Sequence, residues 1–354
     1  MIGALAGGFQ QWSDCKRLRT RGARILRYNR RMRVLLVKLS SMGDVLHNLP
    51  VVSDLVRAHP EIEIDWVTET PYAGLVAMHP QVGRVIATNL RELKKRWWSR
   101  AAWSQFFDAK SQLGGKRYDV ILDTQGLIKS ALIARCAEGP IAGFSGETAR
   151  EPLAVRAYDR QIAVARDLHA VERNRQLAAG VFGYALTDPV DYGLRLPAMA
   201  AVAMPQQPYV VFLHATSRAD KLWPQRYWVA LGQRLHSSGI AVFLPWGNAI
   251  EKRTSEQLAA AIPAAVVPPA MSLVEAATLL AGARGVVGVD TGLAHLAVAL
   301  ARPTIGLYLT TSPALTGLYG NDLAINLGGG SPRQPFIPSV DSAWRALDSF
   351  LARK

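Results

Sequence analysis

The chain has 354 residues, 49% of them hydrophobic and 19% charged, with a net charge of +14. That length leaves room for about two domains and a large core, which excludes an intrinsically disordered chain. Its two cysteines, Cys15 and Cys136, lie far apart. Neither a disulfide framework nor a Cys/His zinc site is therefore expected, and a reducing compartment is implied.

Residues 1–31 hold eight Lys/Arg against Asp14, half of the net charge. Their short apolar patch precedes the basic residues, the wrong order for a secretory signal. The segment reads either as an extension upstream of a fold that begins at Met32 or as a basic arm for an anionic surface. No apolar run reaches the ~18 residues of a membrane-spanning helix, so a cytoplasmic protein is expected. The remaining positive charge suits phosphate-bearing ligands or membrane surfaces. With no helix-turn-helix, RNA-binding aromatic motif or zinc finger, no nucleic-acid partner is expected.

From Met32 onward, short β-branched runs alternate with helical stretches, the pattern of parallel α/β sheets. Strand 33–39 is followed by a Ser-Ser-Met-Gly turn and a helix from Asp44 to about Ala58. Strand 62–68, helix 73–78 and strand 85–88 come next, then a basic, Trp-rich segment over 91–117. Strand 120–123, helix 129–137, strand 141–144 and helix 168–182 complete a first domain over 32–185. A Pro/Ala-rich stretch at 186–207 reads as a linker. The second domain, 208–338, repeats the alternation with strands 209–214, 241–246, 265–267, 285–289 and 304–309. Its helices are expected at 225–237, 251–261, 273–281 and 293–301. A C-terminal helix at 340–351 is expected to pack back on the first domain. Two Rossmann-like halves imply a cleft, with ligands beyond the carboxyl ends of the strands.

Three places there carry candidate chemistry. In VLLVKLSSMGDVLHNLP, Asp44 falls at a helix start, where it serves either as a cap or as a general base for a substrate hydroxyl. Gly43 allows a close approach, and Lys38 either contacts an anion or ends a strand in solvent. His47 shares a helix face with Asp44 and reads as structural. In GVVGVDTGLAHLAVAL, the free N–H groups at Thr291 and Gly292 make an anion site suited to a diphosphate. Asp290 either orients that loop or caps the helix. His295 either donates to a ligand oxygen or is buried and satisfied. In HATSRADKLWPQRYW, Thr216 and Ser217 add hydroxyls and Lys221 a cation that could offset leaving-group charge. Glu251 binds ribose hydroxyls or is a first-turn helix acid.

Neither a GxGxxG turn nor a Walker loop is present, so nicotinamide and P-loop chemistry lose support. There is no Asp-x-Asp pair to hold a metal, and Glu61, Glu63 and Asp65 alternate as on a solvated strand face. The basic run Arg91, Lys94, Lys95, Arg96, Trp97, Trp98 is either an exposed helix or a surface for an acidic, lipid-borne acceptor.

MRVLLVKLSSMGDVLHNLP, HATSRADKLWP and VDTGLAHLA, taken together and in this order, resemble glycosyltransferase family 9, the bacterial lipopolysaccharide heptosyltransferases. The resemblance runs from Met32 to near the C-terminus, and SSMGDVLH is closest to the members that add the first heptose. It implies the two-domain GT-B fold and inverting, metal-independent transfer of L-glycero-D-manno-heptose from ADP-heptose. The implied acceptor is the 5-hydroxyl of Kdo in Kdo2-lipid A, at the inner face of the inner membrane. No cofactor beyond the donor is implied. The family's catalytic aspartate falls on Asp44. Its donor contacts fall on Thr216, Ser217, Lys221, Glu251, Met271, Asp290, Thr291, Gly292, Leu293 and His295. The acceptor side falls on Ser41, Gly43, Arg91, Lys95 and, in the run TAREP, Arg150. Ser217 departs from the family's threonine but keeps the hydroxyl. A later-acting core heptosyltransferase and a GT-B-like nucleotide-sugar epimerase are the alternatives, separated by their acceptor requirement.

Overall fold

The computed structural model describes residues 31–90, 100–197, 207–320 and 322–352. Arg91 and Lys95 and most of the 1–31 leader lie outside them. The described chain builds two six-stranded sheets, each wholly parallel.

The first sheet has the order β3-β2-β1-β4-β5-β6. Its strands are β1 (Arg33–Val37), β2 (Glu63–Glu69), β3 (Val82–Thr88), β4 (Val120–Asp123), β5 (Ile141–Phe144) and β6 (Arg160–Ile162). The second sheet has the order β12-β11-β10-β7-β8-β9. It is built from β7 (Tyr209–Leu213), β8 (Ala241–Phe243), β9 (Ala265–Val266), β10 (Gly285–Val289), β11 (Thr304–Tyr308) and β12 (Ala324–Gly328). In each sheet the order reverses beside the first strand, between β1 and β4 and between β7 and β10. Central strands such as β1 (RVLLV) and β7 (YVVFL) are almost entirely apolar because helices cover both of their faces.

Where a single helix is expected from Asp44, two form: α1 (Met42–Leu46) and α2 (Leu49–Ala58). Pro50 sits in the first turn of α2, where its missing N–H costs nothing; within one continuous helix it would clash with the preceding turn. In the first half follow α3 (Ala73–Val76), α4 (Arg100–Gly114), α5 (Ile128–Ala134) and α6 (Ala170–Phe182). The second half carries α7 (Gln225–Ser237), α8 (Ala249–Ala261), α9 (Leu273–Gly282), α10 (Gly292–Ala299), α11 (Pro313–Thr316) and α12 (Val340–Leu351).

The C-terminal helix α12 does not return to the first half. It packs on α7 and on β10, β11 and β12, burying Ala343, Leu347 and Phe350 among Val287, Val289 and Ile305. The indole of Trp223 fixes the approach by donating to Pro338 O at 2.8 Å. Asp65, read as part of a solvated strand face, is buried. Its carboxylate accepts from Tyr118 at 2.8 Å and pairs with Arg84 at 3.0 Å. Of the linker, Tyr192 is buried and donates to Tyr319 O at 2.9 Å, while residues 198–206 lie outside the described set.

One apolar core passes between the halves, from Val45, Leu46 and Leu49 to Ala294, Leu296 and Val298. The helix starts of α1 and α10 meet there. A Cβ on Gly292 would collide with the Met42 side chain, and one on Gly43 would touch His295 at 3.5 Å. Glycine at 292 is what allows this close approach.

Candidate active site

The cleft lies at the carboxyl ends of the strands, where the order of both sheets reverses, the position at which open parallel sheets leave room for ligands. Its cavity of about 620 Å³ is lined from the first half by Ser41, Met42, Gly43, Asp44, His47, Tyr72 and Arg150. The second half contributes Thr216, Ser217, Lys221, Asp290, Thr291, Gly292, His295 and Thr316.

On the first side, the loop after β1 is held by the loop after β4. Gln125 accepts from Leu39 N at 2.6 Å and donates to Ser40 O at 2.7 Å. Gln125 is itself placed by Asp123, a buried carboxylate that accepts from Gln125 N, Gly126 N, Ser130 and Tyr158. Burial pushes the Asp123 pKa up against those hydrogen bonds. Gly126, at φ +66°, lets this turn run against the backbone of Arg150.

Asp44 is not the cap of α1. Ser41 occupies that position, and Asp44, three residues on, accepts from Ser41 N at 3.0 Å and from its hydroxyl at 3.2 Å. Arg150 pairs with the same carboxylate at 2.7 Å. Burial raises the Asp44 pKa, but the charges of Lys38 and Arg150 and these hydrogen bonds outweigh it. The carboxyl is held well below the usual carboxylate range. Lys38 is neither a solvated strand end nor a cleft residue. It is buried, donates to Thr124 O at 2.8 Å, and burial pushes its pKa down to about 8.

On the second side, Lys221 pairs with Asp290 at 2.6 Å, and Thr311 donates to the same carboxylate oxygen at 2.9 Å. Thr216 donates to Asp290 O at 3.0 Å, tying the loop after β7 to the loop after β10. Asp290 therefore orients the loop and its cation. The N-cap of α10 is Thr291, and Thr291 and Gly292, at the start of this eight-residue helix, line the cleft.

Three expected donor residues do not line the cavity. Glu251 closes the start of α8, accepting from Gly247 N at 2.7 Å and from Asn248 at 2.6 Å. Met271 and Leu293 pack against the core.

Sequence reasoning missed the contact at the base of the cleft. His47 Nε2 lies 3.3 Å from His295 Nδ1, and the His169 ring stands edge-on to His47 at 5.3 Å. His169 accepts from Val171 N, so its other nitrogen donates to Gly317 O at 3.1 Å. The residues of this cluster are more than a hundred positions apart, and no local spacing signals it. All three rings are buried.

Three buried histidines, His79, His214 and His295, predict acid sensitivity. Burial pushes His79, His214 and His295 down to about 4, while the unfolded rings titrate near 6.5. Between those values the unfolded chain binds more protons than the folded one, so stability falls as pH falls through 6.5 towards 4. The cost is roughly 2 kcal/mol per ring at pH 5. The thermal midpoint should drop by several degrees from pH 7 to pH 5, and an unchanged midpoint would contradict the burial argument.

The chain resembles known proteins in sequence and in fold. Residues 107–338 match the model of glycosyltransferase family 9 (heptosyltransferase). The chain is 46% identical over 308 residues to lipopolysaccharide heptosyltransferase 1 of Pseudomonas aeruginosa, covering 86% of each chain. It is similar to the solved structure of the E. coli heptosyltransferase WaaC with ADP, at a TM-score of 0.82 and 40% identity over 90% of this chain and 100% of that one. The same enzyme with ADP-2-deoxy-2-fluoro heptose gives 0.78 and 39%, over 90% of this chain and 99% of that one. The GT-B fold and these matches lead to one assignment: the chain belongs to glycosyltransferase family 9, the heptosyltransferases.

Proposed function

We propose that this protein transfers L-glycero-D-manno-heptose, with inversion, from ADP-heptose to the 5-hydroxyl of Kdo in Kdo2-lipid A. It would thus act in inner-core lipopolysaccharide synthesis at the cytoplasmic face of the inner membrane. The observation that carries this reading is the pairing, in one cavity, of a carboxylate on the first half with a helix N-terminus and a lysine on the second.

Each part has a task. The N–H groups at the start of α10 and the Lys221 ammonium receive the donor diphosphate and stabilise charge as ADP departs. Thr216 and Ser217 supply hydroxyls beside it. Asp44 takes the proton of the acceptor hydroxyl as that oxygen attacks the anomeric carbon from the face opposite ADP. The transition state shares oxocarbenium character with glycoside hydrolysis. Arg150 is placed to exchange Asp44 for an anionic group of the acceptor. Losing that partner would relieve part of the depression of the Asp44 pKa and make it a stronger base at the moment of use. Approach of the two halves excludes water and protects the donor from hydrolysis.

The test is release of ADP from ADP-heptose with and without Kdo2-lipid A. Acceptor-dependent release is expected. Equal release in both arms would overturn the transfer reading. Release only with an acceptor that already bears heptose would assign a later step in the core.

A further inference from the structure

Among the described residues no helix is long and apolar enough to cross a membrane, yet large aliphatic side chains are exposed on the first half. Ile128 and Leu132 stand one turn apart on α5, 41% and 64% exposed, and Leu153 is 57% exposed. The opposite side of α5 buries Ala131, Ile133 and Ala134 in the core, so its outward stripe is not spare core surface. The short helical turn Pro152–Ala157 packs directly on α5, which brings Leu153 alongside that stripe.

Two arginines stand about one turn beyond these aliphatic side chains, Arg135 after Leu132 and Arg156 after Leu153. Arg135 and Arg156 are exposed, and neither has an ion-pair partner among the described residues. The neighbouring acid Glu151 is held at the start of α5, where its carboxylate accepts from Ile128 N at 2.7 Å. The patch also adjoins the acceptor side of the cleft. Arg150, next to Glu151, holds Asp44 at 2.7 Å, and Lys129, next to Ile128, donates to Ser40 at 2.9 Å.

We propose that the face formed by Ile128, Leu132 and Leu153, flanked by Arg135 and Arg156, docks this protein on an anionic lipid bilayer. The cleft would thereby be delivered to a lipid-borne acceptor, so the proposal rests on the acceptor reading given above. Aliphatic side chains that sink shallowly below the headgroups, flanked by two arginines, match a negatively charged leaflet. A second copy of this chain fits less well. A two-fold interface through this patch would set each arginine pair against its own counterpart, and like charges across an interface oppose association.

The experiment uses the full chain with vesicles of phosphatidylcholine, with or without phosphatidylglycerol, and two independent pairs of substitutions: Leu132→Ser with Leu153→Ser, and Arg135→Glu with Arg156→Glu. The wild type should sediment with the phosphatidylglycerol vesicles. Each pair should lower that partition by at least about tenfold. Turnover on a deacylated, water-soluble Kdo acceptor should stay within twofold, while turnover on vesicle-borne Kdo2-lipid A falls with the partition. Partition within twofold of wild type in both pairs would overturn the proposal. So would a change of oligomeric state in sedimentation velocity with vesicle binding retained. If wild type turns over neither the soluble acceptor nor vesicle-borne Kdo2-lipid A, the function reading fails, and the partition data still decide the docking face.

Discussion

Replacing Asp44 by Asn should lower turnover by about 10²–10⁴-fold while leaving the KM for ADP-heptose within a few-fold of wild type. The amide matches the carboxylate in size, and its oxygen can still accept from Ser41 N, so the start of α1 should persist. Two things change. The side chain can no longer take a proton, and its NH₂ group would face the Arg150 guanidinium, donor against donor. Arg150 is therefore released. An acceptor with an anionic group should bind no worse, which separates loss of the proton acceptor from loss of binding. Acceptor-dependent ADP release, measured over both substrate concentrations, resolves the two. Near-normal turnover would remove Asp44 from the role proposed for it.

That carboxylate was legible in the sequence as a candidate, and its circumstances were not. The run Ser-Ser-Met-Gly-Asp announces a strand end, a tight turn and a helix start from local chemistry alone, as does Val-Asp-Thr-Gly in the second half. Periodicity and apolar runs likewise placed the central strands and several helices to within a residue or two. Local patterning does not reach the partners. Arg150 lies 106 positions from Asp44, Thr311 lies 21 from Asp290, and Lys38 is met by Thr124 O and by Asn174 of α6, 86 and 136 positions away. The edge strands β6 and β12 were unseen for a related reason. Their residues are mostly exposed or half-buried, so they carry neither an apolar run nor a clean alternation. Glu251 shows the converse, a residue whose helix-start reading was available and whose side chain follows it.

Lys221→Ala should reduce kcat/KM for ADP-heptose by about 10²–10³-fold, the usual cost of removing one donor aimed at developing negative charge. The effect has two sources that a second substitution separates. Lys221 and Asp290 are both mostly buried, at 16% and 14% side-chain exposure, and their ion pair is 2.6 Å long. Removing only the lysine strands the Asp290 carboxylate beside the place where the donor diphosphate would sit. Its repulsion then adds to the lost attraction. Thr311 still donates to that carboxylate, but a hydroxyl does not neutralise it. Adding Asp290→Asn to Lys221→Ala should therefore recover part of the loss, giving a coupling energy in the double-mutant cycle. Lys221→Arg should retain more activity than alanine because the cation survives, though a planar fork replaces a point charge. Steady-state kinetics and ADP product inhibition on the four proteins of the cycle provide the readout. Additive losses would mean that the lysine meets the donor independently of Asp290. Unchanged donor kinetics in Lys221→Ala would remove this lysine from the diphosphate site.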